Sequence, residues 1–182
     1  MSAEAKSTGK LGYAEYARIP DDGRRHEVID GEHVVNPAPD MVHQRLSRRI
    51  QFQLYTQIEL RGLGEVMNAP VDLQLSDWDI VQPDLVVVLS RNKTIMTAKK
   101  IEGSPDLVVE ILSGSSMHND RVLKKELYRK SGIPEYWVVD PEHRAVEQFI
   151  LRDDNYELLG CHADAIVPQV IEGVRVDLRD VW

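Results

Sequence analysis

Four consecutive segments between residues 81 and 140 determine the architecture: VQPDLVVVLS (81–90), SPDLVVEILS (104–113), SMHNDRVLKKELYRKSG (116–132) and IPEYWVVD (133–140). Three of them contain short apolar runs rich in β-branched residues, which are typical of buried strands. The remaining segment sets charged residues around an apolar stripe and ends at a glycine, which predicts a helix. The predicted order is therefore strand, strand, helix, strand.

Two of the apolar runs each contain one carboxylate: Asp84 begins the first and Glu110 lies inside the second. A buried carboxylate is costly unless it is paired or bound to a metal ion. Hard cations such as Mg²⁺ bind through a few carboxylates together with water, so the two acids predict a divalent-cation site. Two alternatives stay open: Asp84 caps a neighbouring loop, or Glu110 forms a salt bridge with a lysine or arginine of the helix.

Helix geometry separates Lys124 from Lys125. At about 100° per residue, the sector predicted to face the sheet is formed by Leu123, Leu127 and Tyr128 and contains Asp120, Lys124 and Ser131. Lys125, Glu126 and Arg129 are predicted to project outward. We therefore expect Lys124 to point at the sheet, near Glu110. An ordinary i,i+4 ion pair between Asp120 and Lys124 is the alternative interpretation.

The N-terminal part predicts a disordered tail (1–10), a short helix (13–17), a hairpin (26–36) and a long helix (41–61). The hairpin is indicated by the Asp-Gly pair between two β-type runs. Asp40 is expected to cap the long helix, whose apolar residues recur at helical spacing. Glu27 lies in the hairpin, and His43 lies on the apolar face of the helix, where a histidine is more often a core residue than a catalyst.

Further strands are predicted at 66–75, 81–89 and 101–113, followed by a helix at 117–130 and a strand at 136–140. A late hairpin (145–151 and 156–160) and a C-terminal β extension complete the chain. The fold class is α/β: one domain, residues 11–182, with a mixed sheet flanked by helices, an N-terminal hairpin and a C-terminal β extension.

Charge and composition narrow the function. The 182 residues carry a net charge of −8, which argues against a general, non-specific nucleic-acid binder but leaves room for a nuclease with a local basic patch. Cys161 is the single cysteine, so an internal disulfide is excluded. The first ten residues lack the apolar region of a signal peptide, and no apolar run reaches membrane length. We expect a cytoplasmic protein.

The sequence resembles a known family at several points. The run PDLVVV followed by a strand with a glutamate resembles the PD-(D/E)xK nuclease superfamily, whose fold is that of restriction endonucleases. From about residue 13 onward the chain is similar to the Uma-two family of endonucleases. The similarity is carried by EVIDGE (27–32), HQ (43–44), VQPDL (81–85), PDLVVEILS (105–113), Asp120, Lys124, Tyr128 and IPEYWVVDP (133–141).

The resemblance implies a role for five side chains. Asp84 and Glu110 would bind the metal ion, Lys124 would be the catalytic lysine, and Glu27 and His43 would lie near the site. In the wider superfamily the lysine follows the second acid by two residues, a position held here by Leu112. A second departure is Gly114, where the family pattern has proline.

These residues predict a metal-dependent endonuclease that hydrolyses DNA. Asp84, Glu110 and the main-chain carbonyl of Ile111 would hold Mg²⁺ or Mn²⁺, and Lys124 would orient the attacking water. The alternative is a nuclease fold used as a non-cleaving binding or assembly module. Many enzymes that cut both DNA strands are two-fold dimers, and the late hairpin, with Val146, Phe149 and Ile150, is the expected contact with a second copy.

Overall fold

A six-stranded mixed sheet forms the centre of the computed structural model, which describes residues 9–113 and 119–182. The strands are β1 Arg25–Ile29, β2 Glu32–Asn36, β3 Gly64–Asn68, β4 Leu73–Ser76, β5 Asp79–Val81, β6 Leu85–Leu89, β7 Ile101–Glu102, β8 Leu107–Ile111, β9 Glu135–Asp140, β10 Ala145–Arg152, β11 Asn155–His162, β12 Ala165–Ile166 and β13 Val176–Asp177. The central sheet has the order β11-β10-β9-β8-β6-β3. Its β8–β9 pair is parallel and the other pairs are antiparallel, so the predicted mixed α/β architecture is confirmed.

The helices cover both faces of this sheet. They are α1 Tyr13–Tyr16, α2 Met41–Leu54, which continues as a π-helical turn through Tyr55–Glu59, and α3 Lys125–Lys130, which follows a π-helical segment at Asn119–Lys124. The apolar face of α2 packs on alternate strand residues such as Leu85, Val87 and Val109. Leu127 and Tyr128 pack on the opposite face. Every residue of β6, β8 and β9 is buried, as expected for strands covered on both sides.

A second, five-stranded sheet of order β2-β1-β5-β4-β7 carries the N-terminal hairpin. Asp30 and Gly31 have φ values of 51° and 79°, the left-handed pair that a two-residue hairpin turn requires. The hairpin, the short helix α1 and the Asp40 cap of α2 are therefore confirmed. Residues 1–8, most of the predicted tail, lie outside the described part of the chain, and Lys10 forms an ion pair with Asp30.

Three predicted strands are each divided in two. The predictions 66–75, 81–89 and 101–113 become β3 and β4, β5 and β6, and β7 and β8. Each break contains a proline, namely Pro70, Pro83 and Pro105. Because proline has no N–H to donate, it ends a ladder, and the chain passes between the two sheets at each of these points.

The π-helical segment before α3 changes which residues face the sheet. Lys124 is buried as predicted, but Leu123 is 44% exposed rather than inward-facing. Bonding from i to i+5 widens the turn, so a rotation of about 100° per residue does not apply here. The side chain of Asp120, as well as Gly114, lies outside the described part of the chain.

The late hairpin is formed by β10 and β11, and the C-terminal residues pack back onto the sheet as predicted. Of the residues expected to contact a second copy, Val146 and Phe149 are buried in the core and Ile150 is half-buried, and β10 pairs with β9 on one side and β11 on the other. The exposed apolar residues of this hairpin are Leu158 and Leu159 on β11, the outer strand.

Glu135 fixes the C-terminal segment to the sheet. Its fully buried carboxylate accepts hydrogen bonds from Trp137 Nε1 (2.6 Å), Gln148 Nε2 (2.7 Å) and the main-chain N–H groups of Gln169 (2.7 Å) and Val170 (3.0 Å).

No helix in residues 9–113 and 119–182 combines the length and apolar character that crossing a bilayer requires.

Exchange of Glu135 for glutamine is expected to lower the free energy of unfolding by about 1–3 kcal/mol, because an amide group would face donors that need an acceptor. Urea denaturation followed by circular dichroism measures this loss. Glu142→Gln is the matched control, since Glu142 is exposed in the turn between β9 and β10. Equal stability of the two variants would contradict the anchoring role of Glu135.

Candidate active site

Five side chains predicted from the sequence meet at one end of the central sheet, and all five are buried: Glu27, His43, Asp84, Glu110 and Lys124. They lie in or beside a cleft of about 20 Å³, which has room for about one water-sized species. The cleft is lined by Arg25, Asn36, Pro37, Pro39, His43, Asp84, Glu110, Ile111, Ser113 and Lys124.

The register of two neighbouring strands brings the acids together. Strands β6 and β8 are antiparallel, and Leu85 pairs with Val109. Asp84, one residue before Leu85, therefore lies at the level of Glu110, one residue after Val109. The apolar residues of both strands are buried in the core, and the two carboxylates therefore lie side by side at its edge.

The carboxylate of Asp84 is bound from three directions. Arg25 Nη1 donates to Oδ1 (2.8 Å), while His43 Nε2 lies 2.9 Å from Oδ2 and the main-chain N–H of Ile111 donates to Oδ2 (2.8 Å). Burial by itself would raise the pKa of Asp84, but the His43 hydrogen bond and the positive charge of Arg25 outweigh it and hold the pKa below its usual range.

Lys124 lies between the other two acids. Its Nζ is 2.9 Å from Glu27 Oε1 and 3.0 Å from Glu110 Oε1. Tyr128, one helical turn further on, donates its hydroxyl to Glu110 Oε1 (2.6 Å), and burial together with the Glu110 charge raises the pKa of Tyr128. The salt bridge between Glu110 and a helix lysine, which the sequence left open as an alternative, is thus present.

Glu27 is brought to the site by the N-terminal hairpin. Its Oε1 also accepts the main-chain N–H of Gln82 (2.7 Å), and its Oε2 accepts from Asn36 Nδ2 (2.6 Å). Both carboxylate oxygens therefore have protein donors, and one of those donors is Lys124. This arrangement fixes the position of the lysine relative to the sheet.

Comparison with known proteins identifies the family of the chain. Residues 13–179 match the model of the Uma2 family, which is described as "Putative restriction endonuclease". The chain belongs to the Uma2 family. Among proteins with curated descriptions, none matches the sequence.

The fold of this Uma2 protein is that of restriction-endonuclease-like nucleases. It is similar to the crystal structure of "a putative nuclease belonging to DUF820" from Anabaena variabilis, with a TM-score of 0.77 and 16% identity, over 94% of this chain and 97% of the other. A fragment of the type IIG restriction endonuclease BpuSI also matches, with a TM-score of 0.39 and 13% identity, over 62% of this chain and 12% of that enzyme.

His43 connects the first long helix of the Uma2 fold to the carboxylate of Asp84. Asp40 accepts the main-chain N–H of His43 (2.8 Å), so the histidine lies in the first turn of α2. Its Nδ1 is buried and has no hydrogen-bond partner among the described residues. Among the described residues the imidazole ring therefore makes one hydrogen bond, to Asp84.

Two residues of the site, Arg25 and Asn36, were missed in the sequence, and Tyr128 was predicted as an inward-facing helix residue without a contact to Glu110. Arg25 and Glu27 lie two residues apart on β1, so they share a face of the strand, and Asn36 pairs with Arg25 across the hairpin. Tyr128 follows Lys124 by four residues. These spacings can be read from the sequence. They predict a shared site only once it is known that Glu27 is buried.

The donor set suits a small hard cation. In residues 9–113 and 119–182, no cluster of three or more His, Cys, Asp and Glu side chains is arranged to hold a metal ion. Asp84 and Glu110 place carboxylate oxygens on one cleft, and Ile111, whose main-chain carbonyl is the third predicted ligand, lines the same cleft. Mg²⁺ typically takes one or two carboxylates and completes its shell with water, so the residues present fit this ion.

The lowered pKa of Asp84 predicts a pH dependence of stability. Its contribution is complete above the pKa of an unfolded aspartate, about 3.9, and is lost as the pH falls through the lower pKa of the folded state. We expect the wild-type free energy of unfolding to decrease in this window, and the slope to be shallower in Asp84→Asn. Urea denaturation between pH 7 and 2 measures both slopes; identical profiles would contradict the assigned interactions.

Proposed function

We propose that this Uma2 protein is a Mg²⁺-dependent endonuclease that hydrolyses phosphodiester bonds of DNA. The observation that carries the proposal is the placement of a buried lysine between two buried glutamates, with Asp84 on the same small cleft. Membership of the Uma2 family and the restriction-endonuclease-like fold support DNA as the substrate.

Asp84, Glu110 and the carbonyl of Ile111 would hold Mg²⁺ or Mn²⁺. When bound there, the ion supplies Lewis-acid chemistry to the scissile phosphate. His43 and the main-chain N–H of Ile111 hold the Asp84 carboxylate in place, and Tyr128 does the same for Glu110. Preorganised ligands of this kind lose little entropy when the substrate binds.

Lys124 orients the attacking water and stabilises the negative charge that develops on the phosphate. The Lys124 side chain is 2% exposed, so its charge acts in a medium of low polarity. Glu27 positions this lysine: its carboxylate accepts from Lys124, Asn36 and the Gln82 N–H, and, unlike Asp84 and Glu110, it does not line the cleft.

A second function, a non-cleaving binding or assembly module, is favoured by one observation. Lys124 already pairs with both Glu27 and Glu110, so these carboxylates have a cationic partner within the chain. A module of this kind would use the ion pairs for stability alone. It would show no stabilisation by divalent cations and no strand scission.

The two functions are separated by one set of measurements. Plasmid and labelled single- and double-stranded DNA are incubated with Mg²⁺ or Mn²⁺, with chelator as the control, and thermal unfolding is followed in parallel. A native-state ligand at 100 times its Kd stabilises by about 2.7 kcal/mol. We expect cation-dependent cleavage and stabilisation in the wild type, and neither in Asp84→Asn. No cleavage and no stabilisation in the wild type would support the non-cleaving module.

We further propose that β11 is the contact with a second copy of the chain. It is an eight-residue outer strand on which Leu158 is 57% and Leu159 is 45% exposed, and long apolar edges favour strand pairing. Light scattering should give twice the 20.7 kDa chain mass for the wild type and the single mass for Leu158→Lys. Leu60→Lys, at a site 65% exposed on another surface, should stay dimeric. A monomeric wild type would rule this contact out.

A further inference from the structure

Arg25 contacts the site but has no role in the proposed reaction. It begins β1, and its side chain is 17% exposed. Its Nη1 donates to Asp84 Oδ1 (2.8 Å) and to the main-chain oxygen of Gln82 (3.2 Å). Arg25 therefore forms an ion pair with the same carboxylate, that of Asp84, that is proposed to bind the metal ion.

The guanidinium group has unused capacity for hydrogen bonds. It offers five N–H donors in a fixed fork, whose geometry matches a phosphate group. Only Nη1 has a hydrogen-bond partner among the described residues; Nε and Nη2 have none there, and neither atom is sealed from solvent. Arg25 thus binds Asp84 through Nη1, and its Nε and Nη2 can donate to a ligand.

Arg25 lies where two concavities meet. With Pro39 it lines both the small cleft and a neighbouring groove of about 520 Å³. Arg24 lines the same groove with its guanidinium paired to Asp22, and the carboxylate of Asp72 in the same wall accepts the hydroxyl of Tyr16 (2.7 Å) and the amide of Gln82 (3.0 Å). The groove therefore places the remaining N–H donors of Arg25 beside the cleft, among side chains of both charges, where a phosphate of a nucleic-acid backbone can accept from them.

We propose that Arg25 is an exchangeable counter-ion: it neutralises Asp84 in the metal-free protein and binds a DNA phosphate in the adjacent groove once a divalent cation occupies Asp84. The inference rests on the proposed function and adds a phosphate-binding residue to it. A divalent cation at Asp84 repels the guanidinium, and the nearest open space is the groove that Arg25 already lines. A phosphate there restores the lost ion pair, so metal and DNA bind with positive coupling.

The exchange predicts effects of opposite sign on the two ligands. Without Arg25 the metal ion has no competitor at Asp84, whereas DNA loses one phosphate contact. Arg25→Gln is the test variant, because Asp84 keeps its contacts with His43 and Ile111 and the fold keeps a polar side chain at this position. Arg25→Lys retains the charge, and Arg152→Gln, on an arginine that is 59% exposed in the late hairpin, is the matched control for charge.

Calcium, a hard cation with oxygen ligands, serves as the probe in isothermal titration calorimetry and in fluorescence anisotropy with a labelled DNA duplex. In Arg25→Gln we expect Ca²⁺ to bind about fivefold tighter or more, in the range of typical site couplings. In Ca²⁺ the slope of log K for DNA against log salt should decrease by about one unit. In chelator the slope should equal that of the wild type. Arg25→Lys and Arg152→Gln should follow the wild type in both assays.

Unchanged or weaker Ca²⁺ binding in Arg25→Gln would overturn the exchange, as would an unchanged salt slope in Ca²⁺. If the wild type cleaves DNA with Mn²⁺ while Arg25→Gln matches it in every assay, the exchange alone fails. If the wild type binds neither Ca²⁺ nor Mn²⁺, the exchange and the proposed endonuclease fail together.

Discussion

Exchange of Glu110 for glutamine is expected to reduce Mg²⁺-dependent DNA cleavage at least about a thousandfold. A metal ion contributes several kcal/mol of charge stabilisation to the transition state, and about 4 kcal/mol corresponds to that factor. Glu110 is one of the two acids proposed to hold the ion, and it also accepts from Lys124 and Tyr128. Single-turnover cleavage of a labelled duplex, with saturating enzyme, measures the loss.

Glutamine is preferred to alanine because it keeps the volume and an oxygen acceptor for Tyr128 and Lys124. The fold is checked by circular dichroism, and cation-dependent thermal stabilisation should also disappear. Glu135→Gln is the matched control: it changes a buried glutamate of the neighbouring strand and should leave the activity per folded molecule unchanged. Wild-type cleavage rates in Glu110→Gln would remove Glu110 from the metal site.

The central strands were predictable because burial on both faces leaves a simple signature. The runs around Leu85–Leu89 and Leu107–Ile111 are almost wholly apolar, and the structure buries every residue of both. The breaks in the predicted strands at Pro70, Pro83 and Pro105 were harder to predict from the sequence. Residues typical of strands lie on both sides of each proline, and local sequence does not show that the two halves belong to different sheets.

The site was predictable in proportion to how unusual each residue is in its local context. A carboxylate inside an apolar strand singles out Asp84 and Glu110, and the structure places them on one cleft. Local sequence does not distinguish Glu27 and His43 from ordinary hairpin and core residues, and the family resemblance is what placed them near the site. Arg25 was missed because an exposed-looking arginine at a strand end has no local feature that predicts a contact with Asp84, which lies 59 positions further along the chain.

The position of Lys124 was predicted correctly by a rule that failed for its neighbour. Regular helical rotation places both Leu123 and Lys124 inward, yet Leu123 is 44% exposed and Lys124 is 2% exposed. The π-helical segment ends at Lys124, where the wider turn meets the regular helix α3. A buried lysine with an adjacent exposed leucine reverses the order expected from hydrophobicity. The two glutamates that bind Lys124 account for this reversal.

Exchange of Lys124 for methionine is therefore expected to lower the free energy of unfolding by about 3–5 kcal/mol, the usual cost of removing one partner from a buried ion pair. Glu27 and Glu110 are 0% and 1% exposed, and both would lose this cation. Urea denaturation measures the loss, and cleavage should disappear with it. Lys125→Met is the matched control: Lys125 lies over the ring of Phe149 at 3.7 Å, a contact worth about 0.5–1 kcal/mol.

The pH dependence of Lys124→Met distinguishes lost charge pairing from lost packing. Buried carboxylates without their cation take up protons on folding, so the stability of the variant should rise as the pH falls from 8 to 5. Neutralising one acid, in Glu27→Gln combined with Lys124→Met, should recover part of the loss at pH 8. A deficit that is independent of pH and unchanged in the double variant would mean that Lys124 supports the fold through its methylene groups. The charge of the lysine would then have no part in holding the two glutamates at the site.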